Sequence, residues 1–170
     1  MGSRAIEAAI ITTERLVLVP LQAEDADELC DVLHDDRLHA FIGGPPQSRL
    51  ELHDRFVVLA AGSPRAGETW MNWVVRRRFD SQAVGTVQAT IRVVDGRQVA
   101  RLGWMIGVEW QNQGFASEAA TALVRWVRRL GVDDVGANIH PDHDASATVA
   151  SRAGLQRTEE EFEGERVWRA

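Results

Sequence analysis

The sequence predicts a single mixed α/β domain, an α+β arrangement in which helices flank a sheet. Three observations predict it. Stretches of strand-like alternation and helical spacing follow in the order strand, two helices, three strands, helix, strand, helix, two strands. No internal repeat and no linker breaks that order, so 1–170 reads as one domain. With 170 residues, 45% apolar and 26% charged, the chain can bury one ordinary core.

The first strand spans Thr12 to Leu21, where Leu16, Leu18 and Pro20 alternate with Val17 and Val19. Asp25 to Asp35 carries Ala26, Leu29, Cys30 and Leu33 at helical spacing, and Ala40–Gln47, with Gly43-Gly44-Pro45-Pro46, is a turn-rich loop. Ser48 and Glu51 form a capping box for a second helix bearing Leu52, Phe56, Leu59 and Ala60, and Gly62 and Pro64 stop it. Three strands follow, Thr69–Phe79, Ala83–Val94 and Gln98–Val108, with Asp95-Gly96 as a hairpin turn between the last two. Arg76-Arg77-Arg78 reads as a solvated strand end, since alternation puts its middle member on the opposite face. The clearest helix runs from Gly114 to Leu130, with Glu118 near its start, arginines near its end and Gly131 as its cap. Val135–His140 is a buried strand. Pro141 opens a turn into a short helix capped by Gly154-Leu155, and Gln156–Thr158 and Arg166–Arg169 close the sheet around an acidic turn at Glu159 to Glu165.

Composition narrows the function. A net charge of −6 argues against a nucleic-acid partner and is compatible with a cationic amine substrate. No apolar run is long enough to span a membrane. The first residues lack a secretory core, and Ile6 breaks a myristoylation pattern, so a cytoplasmic enzyme is expected. The single Cys30 excludes an internal disulfide framework and reads as a core thiol. His34, His39 and His53 share no ligand-like spacing, so no metal is expected. The tryptophans read mostly as core, with Trp70 and Trp104, placed on adjacent strands, as candidate walls of an acceptor groove. The chain has no Tyr, which removes one common catalytic acid.

Chemistry concentrates in Gly103–Ala119, where a strand runs into a polar, Gly-containing turn that opens an amphipathic helix. Such a junction aims unsatisfied backbone N–H groups and a positive helix end at one point, an anion site suited to a pyrophosphate. Gly114 lets a ligand approach the backbone, and Ala116 avoids crowding it. The Walker A and Gly-x-Gly-x-x-Gly patterns are both absent.

The stretch Gln111-Asn-Gln-Gly114-Phe-Ala116 resembles motif A of the GNAT superfamily, whose pattern is Gln/Arg-x-x-Gly-x-Gly/Ala. The following Ser117-Glu118-Ala119 is similar to the branch containing the ribosomal-protein N-terminal (Rim-type) acetyltransferases. So are the opening Thr13-Glu14-Arg15-Leu16-Val17-Leu18 and the segment His140-Pro-Asp-His-Asp-Ala-Ser146 with Gly154-Leu155. Each motif is weak alone, but their shared order and spacing cover nearly the whole chain.

The resemblance implies a mostly antiparallel sheet splayed in the middle, with acetyl-CoA as co-substrate and the pantetheine arm in the gap. Met105, Ile106 and Gly107 would lie along that arm, with a backbone N–H near the thioester oxygen. Backbone amides of Gln111, Asn112, Gln113, Gly114, Phe115 and Ala116 would hold the pyrophosphate, and His143 stands where an Asn usually contacts the cofactor. Ser146 falls at the family's Ser and would be the acid or hydrogen-bond donor to the departing thiolate. Glu109 and His140 are the candidate bases, with water as the alternative. Asn112 and Gln113 replace a common Gly and a basic residue, and Arg101 stands near a frequent acidic position.

The activity so implied is direct transfer of an acetyl group to a primary amine in a ternary complex. The acceptor is a protein N-terminal α-amine or a small-molecule amine, chosen by the region Ala23–Ala61. The expected partners are acetyl-CoA and that acceptor, without nucleic acid or membrane, and a homodimer stays open. The alternative is a non-catalytic acyl-CoA-binding sensor or interaction module, motivated by the missing Tyr, Arg101 and His143.

Overall fold

The computed structural model describes residues 6–170. The strands β1 (Ile11–Thr12) and β2 (Leu16–Pro20) precede the helices α1 (Ala26–Val32) and α2 (Arg49–Ala61). A meander follows, formed by β3 (Glu68–Arg77), β4 (Ala83–Val94) and β5 (Arg97–Ile106). The chain continues through α3 (Phe115–Arg129), β6 (Asp134–Ile139), α4 (Asp144–Arg152), β7 (Gln156–Phe162) and β8 (Glu165–Arg169). The described strands form one sheet in the order β1-β2-β3-β4-β5-β6-β8-β7. Only β5 and β6 run parallel; the other neighbours are antiparallel. No helix among the described residues is long and apolar enough to cross a membrane.

Local signals set the ends of these elements. Ser48 and Glu51 make the reciprocal capping box that starts α2, and Gly62 ends it at φ 83°. Asp95 and Gly96 both have positive φ, 50° and 76°, as a tight hairpin turn of the right twist requires. Leu29, Leu52 and Phe56 of α1 and α2 pack with Val74 on one face of the sheet. On the other face, Phe115, Leu123 and Val127 of α3 and Ala150 of α4 pack on Trp73, Val87 and Ile91. The strand layer thus has a core on each side, which carries most of the hydrophobic stabilisation.

Four details differ from the sequence expectation. The first strand is interrupted at Thr13–Arg15, because the Glu118 carboxylate draws in the Thr13 hydroxyl at 2.6 Å and the Arg15 amide at 2.8 Å. The final strand pair is longer than expected, since cross-strand ion pairs of Arg166 with Glu161 and Arg169 with Glu160 carry β7 through the acidic run to a tight turn at Glu163-Gly164. The three arginines at the end of β3 and just past it are held by partners rather than left as a free strand end. Arg76 bridges Asp25 and Glu28 at 2.9 and 2.7 Å, tying α1 to the sheet; Arg77 lies over the Trp110 ring, and Arg78 donates to the carbonyls of Thr13 and Glu14. Finally, Trp70 and Trp104 are not on adjacent strands, because β4 lies between theirs.

Candidate active site

The parallel pair β5/β6 is the break in the sheet. Its ladder has three rungs, ending at Arg101 opposite Gly136, although β5 continues to Ile106 and β6 to Ile139. Gly136 also lets β8 close on the other side of β6: a Cβ there would lie 2.2 Å from the Trp168 carbonyl. The Arg101 guanidinium meets Asp134 at 3.3 Å, which latches the strands where they begin to part. Beyond that point the strands diverge, leaving the far edge of β5 without a partner.

The unpaired edge carries a usable donor. Gly107 donates its N–H to the Val84 carbonyl, so it faces β4. The antiparallel ladder alternates, and the backbone groups of Ile106 and Trp104 therefore face the gap. Consistent with this, the Ile106 carbonyl accepts from Gln111 Nε2 at 3.0 Å.

The gap opens into a cleft of about 420 Å³. Trp104, Met105 and Ile106 line one wall, the turn before α3 closes one end, and Ser146 and His143 of the α4 start lie across it. In that turn Asn112 and Gly114 have φ of 59° and 83°, with Gln113 between them at negative φ. Alternating handedness of this kind makes successive N–H groups converge into an anion-binding nest, here at the positive end of the 15-residue α3. An acyl-CoA pyrophosphate fits this donor set, and the elongated gap fits its arm.

Behind the nest is a brace that sequence reasoning missed. Arg15 Nε meets Glu118 Oε2 at 2.7 Å, its Nη1 donates to the Gln113 carbonyl at 2.9 Å, and its guanidinium lies over the Phe115 ring at 4.9 Å. Burial pushes the Glu118 carboxyl up, but the Thr13 hydroxyl and the Arg15 amide and guanidinium outweigh it and hold it below the usual range. Arg15 and Glu118 were each visible as motif members. Nothing in the sequence marked them as partners across 103 positions.

At the other end, Trp104 Nε1 donates to Ser146 Oγ at 3.0 Å. A serine hydroxyl has one proton to give, and this contact uses a lone pair, so the Ser146 O–H stays free to donate. The His143 Nδ1 accepts the Ser146 amide at 3.4 Å and caps α4, and its ring stacks on Phe41 at 4.1 Å. Burial and the nearby His140 lower the His143 pKa, so the ring is neutral and keeps its proton on Nε2.

Several expected site residues lie elsewhere. Glu109 is exposed and lines a separate depression with Glu28 and Asp31, away from the cleft walls. Gly107 does not line the cleft either. Its Cα packs on α1, where a Cβ would come 2.7 Å from Val32 Cγ1. The Gln113 side chain turns back to the Glu109 carbonyl, and Phe115, which borders the cleft, is part of the core. His140 holds the Asp142 amide at 3.2 Å. Two arginines that sequence reasoning did not assign also border the cleft, Arg37, which is paired with Asp35, and Arg152.

A second cavity adjoins the first. It lies under α1 and α2 and shares Trp104, Met105 and Ile42 with the cleft at its outer part. Its small inner part is walled by Leu33, Leu52, Phe56 and Leu59, and the half-buried Cys30 borders it. Of the two tryptophans expected at an acceptor groove, Trp104 is there. Trp70 instead binds Glu68 through its Nε1.

A splayed parallel pair with an anion nest at one end and a hydroxyl donor at the other defines an acyl-CoA-dependent transferase. The profile of the acetyltransferase (GNAT) domain matches residues 15–156, and the chain belongs to that family. It is an N-acetyltransferase. Its sequence is 24% identical over 149 residues to the uncharacterized N-acetyltransferase YoaA of Bacillus subtilis, covering 87% of this chain and 83% of that protein. Its fold is similar to that of a GNAT-family acetyltransferase from Bacillus anthracis, with a TM-score of 0.78, 18% identity and coverage of 95% and 98%. It is also similar in fold to RimL, a ribosomal L7/L12 α-N-protein acetyltransferase solved with coenzyme A, at a TM-score of 0.76, 17% identity and coverage of 95% and 97%.

Proposed function

We propose that the protein transfers the acetyl group of acetyl-CoA directly to a primary amine, with both substrates bound at once. The observation that carries this reading is the meeting of the two cavities at Trp104 and Met105, beside the Ser146 hydroxyl. Bound acetyl-CoA supplies an activated thioester. The nest at Asn112–Gly114 and the cation Arg152 attract its phosphates, and the walls at Met105 and Ile106 align its arm. The Ile106 amide faces the gap and is the donor for charge developing on the thioester oxygen.

The C–N bond forms as the C–S bond breaks. Of the two protons the ammonium group loses, one goes to solvent and one ends on the thiol. Ser146 hands that second proton to the sulfur, and Trp104 holds its oxygen in place. Water takes the first, since Glu109 opens onto a separate depression and the His140 Nδ1 is engaged with a backbone amide.

Initial-rate kinetics with thiol release as the readout test this directly. A ternary complex predicts double-reciprocal lines that intersect when acetyl-CoA and amine are varied together. Parallel lines would indicate a covalent acetyl-enzyme and overturn the direct-attack reading. The competing reading, an acyl-CoA sensor without turnover, would show cofactor binding and no thiol release with any amine.

A further inference from the structure

The acceptor cavity has a charge character of its own. Its inner part has no Asp or Glu among its lining residues, and the outer part has only Glu51. One oxygen of that carboxylate, Oε2, is taken by the capping box, accepting from the Ser48 amide at 2.8 Å and the Ser48 hydroxyl at 2.7 Å. Those bonds hold the Glu51 pKa below its ordinary value, so it stays a charged cap. Arg55, by contrast, borders both parts of the cavity. It has no carboxylate within ion-pair distance among the described residues, and its one hydrogen bond is from Nη1 to Gln47 Oε1 at 3.2 Å. A guanidinium has five donors, so most of the fork is open.

The floor adds neutral polar groups. Asn72 and Gln88 are cross-strand partners, and Gln88 in turn faces Gly103. The side chains of Asn72, Thr86 and Gln88 make no hydrogen bond within the described protein, and all three line the cavity. Beyond them lies the apolar wall of Leu33, Leu52, Phe56 and Leu59.

A polycationic amine finds a single carboxylate here, Glu51 at the outer rim, and meets a like charge at Arg55. An amine that also carries a carboxylate and an apolar group finds a partner for each. We infer that the acceptor is an amino-acid-like amine, whose carboxylate is taken by Arg55 and whose apolar side chain enters the pocket beneath α1 and α2. The apolar group drops between Leu52, Phe56 and Leu59, and the polar floor takes what the guanidinium leaves unsatisfied. The amine is left at the Trp104–Met105 junction, where the cavities meet. The overall negative charge of the chain points to a cationic substrate, but the local charge of this cavity is what a bound acceptor feels.

This inference rests on the reading of the cleft as the acetyl-CoA site, and the test separates the two. The full-length protein is first titrated with acetyl-CoA by calorimetry. Thiol release is then followed with leucine, methionine and phenylalanine, with their carboxamides, with spermidine, and with an aminoglycoside and a short peptide having a free N-terminus. The amide's amine is less basic and more populated as free base, so intrinsic reactivity favours the amide. Preference for the acid therefore reports the carboxylate contact.

The expected result is acetylation of the amino acids with kcat/KM about tenfold or more above their carboxamides, the effect of a charge-assisted bond. Arg55→Met, which keeps the alkyl stem, should bring that ratio to one or below, where intrinsic reactivity puts it, and a thermal melt checks that the variant is folded. Preference for spermidine, the aminoglycoside or the peptide would overturn the acceptor assignment while leaving the transferase reading intact. So would an acid-to-amide ratio untouched by Arg55→Met, or acetyl-CoA binding with no turnover of any amino acid. Absence of acetyl-CoA binding would remove both readings.

Discussion

Gly114 and Gly131 flank α3 with nearly the same backbone conformation, φ of 83° and 81°, and differ in their surroundings. A Cβ at Gly131 would meet nothing within 4 Å, whereas one at Gly114 would stand 3.2 Å from Arg15 Nη2 and beside the anion nest. Replacing either by Ala imposes the left-handed penalty of an L-residue, about 1–2 kcal/mol. For a domain of this size each kcal/mol lowers Tm by about 2–4 °C. The two variants should therefore lose similar stability. Binding should separate them. At Gly114 the strain is relieved by rotating the peptide units that form the nest, or by displacing the Arg15 guanidinium that braces it. If about 1.4 kcal/mol of that strain is relieved only by opening the nest, the Kd for acetyl-CoA rises about tenfold. Gly114→Val adds the bulk of a β-branched side chain and should weaken binding further. Gly131→Ala should bind acetyl-CoA as wild type does. Thermal melts and calorimetry on the same preparations give both quantities. Equal acetyl-CoA affinity in Gly114→Ala and Gly131→Ala would refute the nest as the phosphate site.

Three further outcomes follow from the same geometry. Ser146→Ala should lower kcat by about a hundredfold while leaving the acetyl-CoA Kd within a few-fold, since proton transfer and not binding is lost; full activity would place the proton donor elsewhere. Trp104→Phe keeps the ring but removes the donor at 3.0 Å from Ser146 Oγ, and should lower kcat by a smaller factor, with little added effect in the Ser146→Ala background, as a double-mutant cycle would show. Glu118 has its folded pKa depressed, so its contribution to stability is full above the ordinary glutamate value of about 4.3 and is lost as pH falls through the folded value. Wild-type Tm should therefore drop on acidification through that range, and Glu118→Gln should start from a lower Tm and show a shallower acid limb.

What the sequence made legible was local. The Ser48/Glu51 box, the Asp95-Gly96 turn and the Gly131 cap are each written within a few residues, and each element end follows from them. The amphipathic α3 was equally plain, because its apolar face repeats at helical spacing. The turn before it could be read as an anion site for the same reason. The contacts that complete the site are not local. Arg15 and Glu118 meet across 103 positions, Trp104 and Ser146 across 42, and neither spacing has a periodic signature. The acceptor cavity is more distant still from sequence reasoning, since it joins side chains of α1, α2, β3, β4 and β5. Glu109 shows the converse error. It sits beside the motif in sequence, but the 3-10 turn Val108–Trp110 directs it to a separate depression.

Calorimetric titration with acetyl-CoA, set against ATP, asks whether the break between β5 and β6 is an acyl-CoA site. One molecule bound per chain with Kd in the micromolar range, a free energy of about −8 kcal/mol, with ATP far weaker, is the predicted result. A nest that holds phosphate without a gap that holds the pantetheine arm would bind both alike, and equal affinity, or no heat with acetyl-CoA, would contradict the account.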